Sequence, residues 1–558
     1  MAPQAAKNTQ ALATEPPLEA VQVLRQAVAH YKTGDWVKAA VAAANAAEAH
    51  ARYAGAYHLL ALALDNLGQR AKAFDMFERA FSLEPANANL MLDFANAAAK
   101  LHHIDAAENA YRAYLERRPD CPKGVSGLAA CRLAAGEIGE ARRIVQTALD
   151  RTPESAALWN TLGTIMIESG DFDGAIAAYA PAQRLAPATA RTFHNIAHAQ
   201  SHTGKHEQAI ANFNRALDLA SDESDRATIR HARSLCHAAA GRLAEAWPDY
   251  EERLNPAFAQ ATHFAIPAPQ WDGEDINGRK ILVVGEQGLG DEIMFVGLIP
   301  DLIDRAGPKG KVLVAVDQRL VPLLQRSFPT AHVGVELHTK NDAKPVRVVP
   351  WATGDLAPDV YAPMGSLLAH LRPTIDSFKP RTYLKADPAR VHHWMRRLEA
   401  LGPGPYVGIS WKSMLVTTPR KKFFSALEDW APMLETTSVK FVNLQYGDCN
   451  AELDAVRAMY GVALHNFADI DLTNDIDDNA ALCQALDLVV SSPTAPAMLA
   501  AATGTETWLL TAGPLWQQLG TARYPWYANT RVLTPEKFAD WPALMQRLAC
   551  EIEAFASR

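Results

Sequence analysis

A chain of 558 residues, 49% hydrophobic and 21% charged with a net charge of −8, has the makeup of an ordinary soluble protein of about two to four domains. The acidic balance argues against nucleic acid as the main partner, and no stretch is long and apolar enough to span a membrane. Six scattered cysteines (Cys121, Cys131, Cys236, Cys449, Cys483, Cys550) with no C-x-x-C pair exclude a zinc site of that pattern and fit reduced thiols in the cytoplasm.

The first segment, residues 1–18, is rich in Ala, Gln and Pro and lacks the apolar core of a signal peptide, so a disordered tail is expected. From 19 to 254 the chain repeats. Small residues recur at a step of 34 at Ala39, Ala73, Ala107, Ala141, Ala175 and Ala209. Four residues after these stand Ala43, Phe77, Tyr111, Val145, Tyr179 and Phe213. Turn glycines keep the same step at Gly34, Gly68, Gly136, Gly170 and Gly204, with His102 the exception. This period, with a small residue where helices cross and a larger one a turn later, is the tetratricopeptide (TPR) signature. About six to seven helix pairs are expected to stack into a superhelix, each burying its apolar face on its neighbours. A slipped last unit follows around Gly241–Trp247, its alanine 37 residues after Ala209. Such arrays commonly grip a protein partner through a concave face. Asn160 and Asn195, on predicted first helices, are candidates to hold an acceptor backbone; a solvated role serves them equally well.

Residues 255–278 break the helical period with Pro256, Pro267, Pro269, Gly273 and Gly278, and read as an extended linker packed by Trp271. Beyond it, short apolar runs alternate with amphipathic helices. Ile281–Val284, Val312–Val316, Val333–Val335 and Val346–Val349 are expected in one sheet; Tyr406–Ser410, Lys440–Leu444, Leu488–Ser491 and Thr507–Leu510 in a second. The intervening helices suit right-handed crossovers. Two Rossmann-like lobes are predicted, 279–387 and 388–558, with a ligand cleft at the carboxyl ends of their strands. The first lobe opens on a strand, then Gly285-x-x-Gly288-x-Gly290, then a helical pattern beginning at Asp291 and stopped by Pro300. Strand, glycine turn and helix start form an anion-receiving corner, because unpaired N–H groups and the positive end of the helix dipole converge there. The spacing is not the G-x-G-x-x-G of dinucleotide sites.

With Gly288-Leu289-Gly290-Asp291 after its first strand, this half resembles the GT-B glycosyltransferases, and by motif the heptosyltransferase-type family. The whole layout resembles the TPR-fused protein O-glycosyltransferases, particularly those that modify flagellin in alphaproteobacteria. The fold implied is an all-α TPR superhelix followed by a two-lobed α/β GT-B fold. In the heptosyltransferase-type family the aspartate after the glycine turn is the catalytic base, a role the resemblance assigns to Asp291; helix N-capping is the structural alternative. Glu286 and Glu292 are weaker alternatives in the same turn.

Donor and phosphate contacts are carried over to Gly288 and Gly290, to Trp411, Lys412 and Ser413 at the end of the strand Tyr406–Ser410, and to Pro493, Thr494 and Ala495. Lys412 would stabilise the departing phosphate; Gln445 or Tyr446 would touch the nucleotide base. The run Arg420-Lys421-Lys422 reads as a charged loop. The heptosyltransferase-type pattern of Asp-Thr-Ala, then His, is replaced here by Pro493-Thr494-Ala495 and Met498, which speaks against an ADP-heptose donor. Asp475-x-Asp477 precedes a helix and is explained by N-capping rather than by a metal. Trp516, Arg523, Tyr524, Pro525 and Trp526 read as packing.

The resemblance implies a metal-independent cytoplasmic enzyme without a cofactor. It would transfer a sugar from a nucleotide donor to Ser or Thr of a protein, with flagellin as acceptor and a CMP-linked nonulosonic acid such as pseudaminic acid as donor. A catalytically inactive TPR adaptor with a glycosyltransferase-like scaffold is the competing reading.

Overall fold

The computed structural model describes residues 17–341, 344–414, 418–461 and 464–558. The tail expected over 1–18 therefore lies outside the described residues up to position 16, and Leu18 already opens the first helix. The chain divides into two compact units, Met1–Ile165 and Met166–Arg558, a division that falls within the repeat array. Among the described residues no helix is long and apolar enough to cross a membrane.

The first unit is a run of helix pairs: Leu18–Lys32 with Trp36–Ala49, Ala54–Asn66 with Arg70–Leu83, Ala88–Lys100 with Ile104–Arg117, and Pro122–Ala134 with Ile138–Leu149. Ala39, Ala73, Ala107 and Ala141 are fully or almost fully buried, as close helix crossings require. Polar side chains stitch one repeat to the next at a fixed offset. His58 Nε2 meets Asp93 at 2.8 Å, Lys100 Nζ meets Asp65 at 2.7 Å, and the hydroxyls of Ser126 and Thr161 lie 2.7 Å apart. The turns adopt the left-handed conformation at Gly68 (φ 78°) and Gly136 (φ 80°), and His102, which breaks the glycine pattern, is held at φ 60° in the equivalent turn.

The second unit begins with the remaining repeats, Phe172–Leu185, Ala190–His202 with His206–Leu219, and Glu223–Ala239 with Leu243–Tyr250. The slip in the last repeat goes into its first helix, which has 17 residues where Ala190–His202 has 13.

Among the described residues thirteen strands follow: β1 (His263–Phe264), β2 (Lys280–Val284), β3 (Lys311–Val316), β4 (His332–Val335), β5 (Leu337–Asn341), β6 (Lys344–Val348), β7 (Val360–Pro363), β8 (Tyr406–Ser410), β9 (Lys440–Asn443), β10 (Leu464–His465), β11 (Leu488–Ser491), β12 (Glu506–Leu510) and β13 (Thr530–Leu533). Two sheets are wholly parallel, β4-β3-β2-β7 and β10-β9-β8-β11-β12-β13. Their central strands are buried on both faces, which explains the continuous apolar runs: Ile281–Val284 and Leu488–Val490 are wholly inaccessible.

One expected strand sits elsewhere. Val346–Val349 was expected in the first parallel sheet; β6 instead forms a hairpin with β5 and pairs β1 in a separate three-stranded sheet. Lys344, Pro345 and Arg347 interrupt its apolar pattern, and it is only partly buried. Its place is taken by β7, too short and proline-ended to stand out in sequence. The linker region lies along these edges, with β1 on β6 and the Trp271 N–H donating to Tyr361 O at 2.7 Å; Trp271 is 2% exposed. Pro300 does not end the helix that contains Asp291. The helix Leu289–Phe295 passes through one 3-10 turn, Val296–Leu298, into Ile299–Ala306, and Pro300 sits in that helix's first turn, where its missing N–H costs nothing.

Candidate active site

The carboxyl end of β2 runs through Gly285–Gly288 into the helix Leu289–Phe295. Gly288 is the residue that caps this helix, so Asp291 is its third residue and not the cap. The Asp291 N–H donates to Gly288 O at 2.9 Å, and its carboxylate accepts from the Gly288 N–H in return. Across from this corner, β11 turns through Ser492 and Pro493 into the helix Ala495–Thr503. A Cβ placed on Gly290 would meet the backbone N of Ala495 at 3.5 Å, an ordinary van der Waals contact, so the two helix starts come within reach of each other.

They wall a cavity of about 390 Å³. Gly288, Gly290, Asp291, Ser413, Pro493, Thr494 and Ala495, all singled out from sequence, line it together. Burial raises the Asp291 carboxyl to about 6; the Gly288 N–H and Arg420 oppose the rise and Glu286 adds to it. A carboxyl titrating there is a competent proton acceptor near neutral pH.

Its two acidic neighbours are committed to structure. Glu286 receives two hydrogen bonds from Arg253, at 3.0 and 3.1 Å, in a pair where both side chains are buried, and a Cβ on Gly365 would lie 2.4 Å from its Oε1. Glu292 accepts from the Asp317 N–H at 3.1 Å; burial, then the nearby Glu336, push it well above the usual carboxylate range. Both acids crowd Gly285, where a Cβ would lie 2.8 Å from Glu292 and 2.9 Å from Glu336. Gly285 is thus the glycine of this turn that no other residue can replace without rearrangement.

Three sequence candidates lie outside the cavity wall. Trp411 buries its ring in the core of the second sheet, its Nε1 donating to Glu452 at 3.2 Å, and Lys412 forms an ion pair with the same Glu452. Gln445, 1% exposed, is a clamp: its amide oxygen accepts from the N–H groups of Trp411 and Lys412 at 3.0 Å, and its amide nitrogen donates to Lys412 O and Tyr446 O. That saturates it and leaves nothing for a nucleotide base. Thr494 occupies the cap position of its helix but makes no cap bond, turning its hydroxyl to Ser492 O at 3.2 Å. Asp475 caps the helix Ile476–Ala485 through the Asp478 N–H, as read from sequence, while Asp477 is held by Arg326 and Asp478 by Trp394 Nε1. Among the described residues no group of three or more His, Cys, Asp or Glu side chains is placed to hold a metal. Asn160 and Asn195 are half-buried on the helices Ala156–Glu168 and Ala190–His202, and neither lines the cavity.

Three segments match models described as tetratricopeptide repeat, at residues 66–131, 154–222 and 194–262. Over 535 residues, 96% of this chain and 90% of the relative, the sequence is 37% identical to Protein FlbA of Caulobacter vibrioides. The chain belongs to the FlbA family. Among solved structures it is similar to a TPR protein of Parabacteroides merdae, at 14% identity and a TM-score of 0.38 over 42% of this chain and 92% of that one. It is also similar to a TPR protein of Thermus thermophilus, at 22% identity and a TM-score of 0.30 over 32% of this chain and 98% of that one.

In this FlbA-family chain the wall also holds residues the sequence did not nominate. Arg420, read as part of a charged loop, faces the cavity, and its guanidinium has no hydrogen bond or ion pair among the described residues. Arg319 lines it too, tied to Asp317 at 2.8 Å and to Thr473 O at 3.0 Å. Met498 stands where the heptosyltransferase-type pattern has His; its sulfur receives the hydroxyls of Tyr524 and Tyr527 in a buried cluster behind Asp291. Of the aromatic residues at 516–526, Trp526 packs edge-on to Phe295 and Phe378, while Tyr524 also reaches the cavity wall.

Proposed function

We propose that this protein is a protein O-glycosyltransferase with a GT-B catalytic half. The observation that carries the reading is the position of Asp291, on the wall of a cavity between the carboxyl ends of two parallel sheets, beside two helix starts. Asp291 takes the proton of a Ser or Thr hydroxyl as that oxygen attacks the anomeric carbon, while the bond to the donor phosphate breaks. Arg420, unpaired at the same wall, and the backbone N–H groups of the helix Ala495–Thr503 receive the charge that develops on the departing phosphate. Lys412, nominated from sequence for that work, is neutralised by Glu452. The TPR array holds the protein acceptor, since such arrays commonly bind protein partners. The resemblance to TPR-fused transferases supplies flagellin as acceptor, a CMP-linked nonulosonic acid as donor, and the cytoplasm as the place of reaction.

The test is intact-mass measurement of flagellin after incubation with the full chain and CMP-pseudaminic acid, beside UDP-, CDP- and ADP-sugars. A mass increase of one sugar that is lost with Asp291→Asn is expected. Two observations favour the adaptor reading, the saturated Gln445 and the Lys412–Glu452 pair, because both remove ligand contacts the family pattern suggests. Absence of binding to every nucleotide by calorimetry would establish it in place of catalysis.

A further inference from the structure

A second cavity, of about 330 Å³, adjoins the first and shares Arg420 and Pro493 with it. One side is made by the last repeats: His198 and His202 from the helix Ala190–His202 and Ala232 from Glu223–Ala239. The other side is made by Phe423 and Phe538 of the α/β half. The rings form one continuous surface. His202 stacks on Phe172 with centroids 4.6 Å apart, lies 5.4 Å from Phe423 and 4.7 Å from His198, and Phe423 stands edge-on to Phe538 at 5.6 Å.

Burial, with smaller contributions from His202, His194 and Lys422, takes His198 down to about 3, and burial with Lys422 takes His202 down to about 4. Both imidazoles therefore stay neutral near pH 7 and behave as flat, weakly polar rings. Lys422 is spent on Ile167 O at 2.9 Å and Glu168 at 3.3 Å, and Arg420 stands where this recess meets the first cavity. Protein interiors close-pack, so an apolar recess of this size that persists beside a cleft is suited to an apolar guest. Most of the wall is apolar, so a sugar would turn many of its hydroxyls toward rings, with Ser201, His206, Thr511 and Arg420 as the polar side chains beside the two imidazoles.

We propose that this recess is an acceptor subsite that takes an aromatic or branched aliphatic side chain flanking the Ser or Thr to be modified. The occupant is a polypeptide because one wall is the end of a TPR array and the other opens at Pro493, next to Thr494 and Ala495 in the transfer cleft. A chain leaving the array passes its side chain through the recess and so presents the neighbouring hydroxyl at Asp291. The proposal rests on the transferase reading.

It is tested with the full chain, a panel of CMP-, UDP-, CDP- and ADP-sugars, and synthetic peptides carrying one Ser or Thr flanked by Phe, Leu, Gly or Asp. Release of free nucleotide without peptide is measured in parallel. Phe and Leu flanks are expected to exceed Gly by about 10- to 200-fold in kcat/KM, the discrimination an apolar pocket delivers. Ala232→Trp, which fills the recess, should erase the preference. Phe423→Ala, which enlarges it, should move the preference toward Trp in a fifth peptide set. Equal rates for all flanks in the wild-type chain, or a preference unmoved in both variants, would overturn the subsite and leave the transferase standing. Failure of the wild-type chain to release nucleotide from any donor would overturn the transferase reading, and the subsite with it.

Discussion

Two strand-to-helix corners face the same cavity on different chemical plans. The corner after β2 brings three acids, Glu286, Asp291 and Glu292, within seven residues; the corner after β11 brings Ser492, Pro493, Thr494 and Ala495, with no charge at all. In the first, burial sorts the acids: one is consumed by Arg253, one is buried beside Glu336, and only Asp291 faces the cavity. In the second, the side-chain hydroxyl turns inward to Ser492 O, so what faces the cavity is backbone and helix end. On the proposed reading, proton transfer would fall to the first corner and anion reception to the second. The sharpest test is the pair Asp291→Asn and Thr494→Ala. Removal of a positioned general base costs about 10²- to 10⁴-fold in single-turnover rate, whereas Thr494→Ala should cost less than about tenfold. Equal losses would break the division of labour.

Within the first corner, Glu286 and Asp291 should respond to mutation by different readouts. The Arg253–Glu286 pair ties the segment after the last repeat helix to the carboxyl end of β2, with both side chains buried. Breaking such a pair leaves a buried charge without its partner, at about 3–5 kcal/mol. Arg253→Ala should lower stability by that much in urea unfolding followed by tryptophan fluorescence, while Asp291→Asn, which removes a charge that burial disfavours, should raise the unfolding midpoint near pH 7. A stable Arg253→Ala protein would show that the pair is dispensable to the corner.

The raised Asp291 carboxyl gives a third distinction, one of direction. As a general base Asp291 would work only deprotonated, and burial raises its carboxyl from 3.8 to about 6. Transfer should therefore climb about tenfold per pH unit below about 6 and level off above it, as kcat/KM against pH under stopped-flow conditions would show. Burial is the largest cause of the rise, so replacing the nearby Glu286 should shift the inflection only slightly downward. An inflection near 4 would mean that the carboxylate is solvated when acceptor binds.

What could be read from the chain follows from how each feature is encoded. The repeat period and the doubly buried strands are local and recurrent, so Ala73 or Ile281–Val284 announce themselves. The corner at Gly288–Asp291 is local too, and it stands where expected. Trp411 and Lys412 turn to Glu452, some 40 positions away from Lys412, and Gln445 turns to the backbone of Trp411 and Lys412 at the end of a neighbouring strand, partners that nothing nearby in the chain announces. Arg420 was passed over for the converse reason: a basic run looks solvated, and only the fold turns its first residue toward Asp291. β7 was missed because four residues ending in Pro363 carry too little pattern to outweigh Val346–Val349.

Lys412 and Arg420 therefore make the finest test of the comparison, because the two cations differ only in where the fold leaves their charge. Lys412 is about a third exposed and already paired with Glu452, a setting in which an ion pair contributes about 0–1 kcal/mol. Lys412→Ala should change donor KM and kcat by less than about twofold. Arg420→Ala should cost about tenfold in kcat, since Arg420 lines the cavity without a side-chain partner but is exposed, so solvent screens part of its action on a developing phosphate charge. Glu452→Gln refines the argument: it releases Lys412 without touching Arg420, so partial recovery of Arg420→Ala by this second change would show that the distance to the phosphate, not the pairing, is what Lys412 can overcome. No recovery would fix the anion-receiving cation at Arg420 and assign Lys412 to holding the helix Asn450–Tyr460 through Glu452.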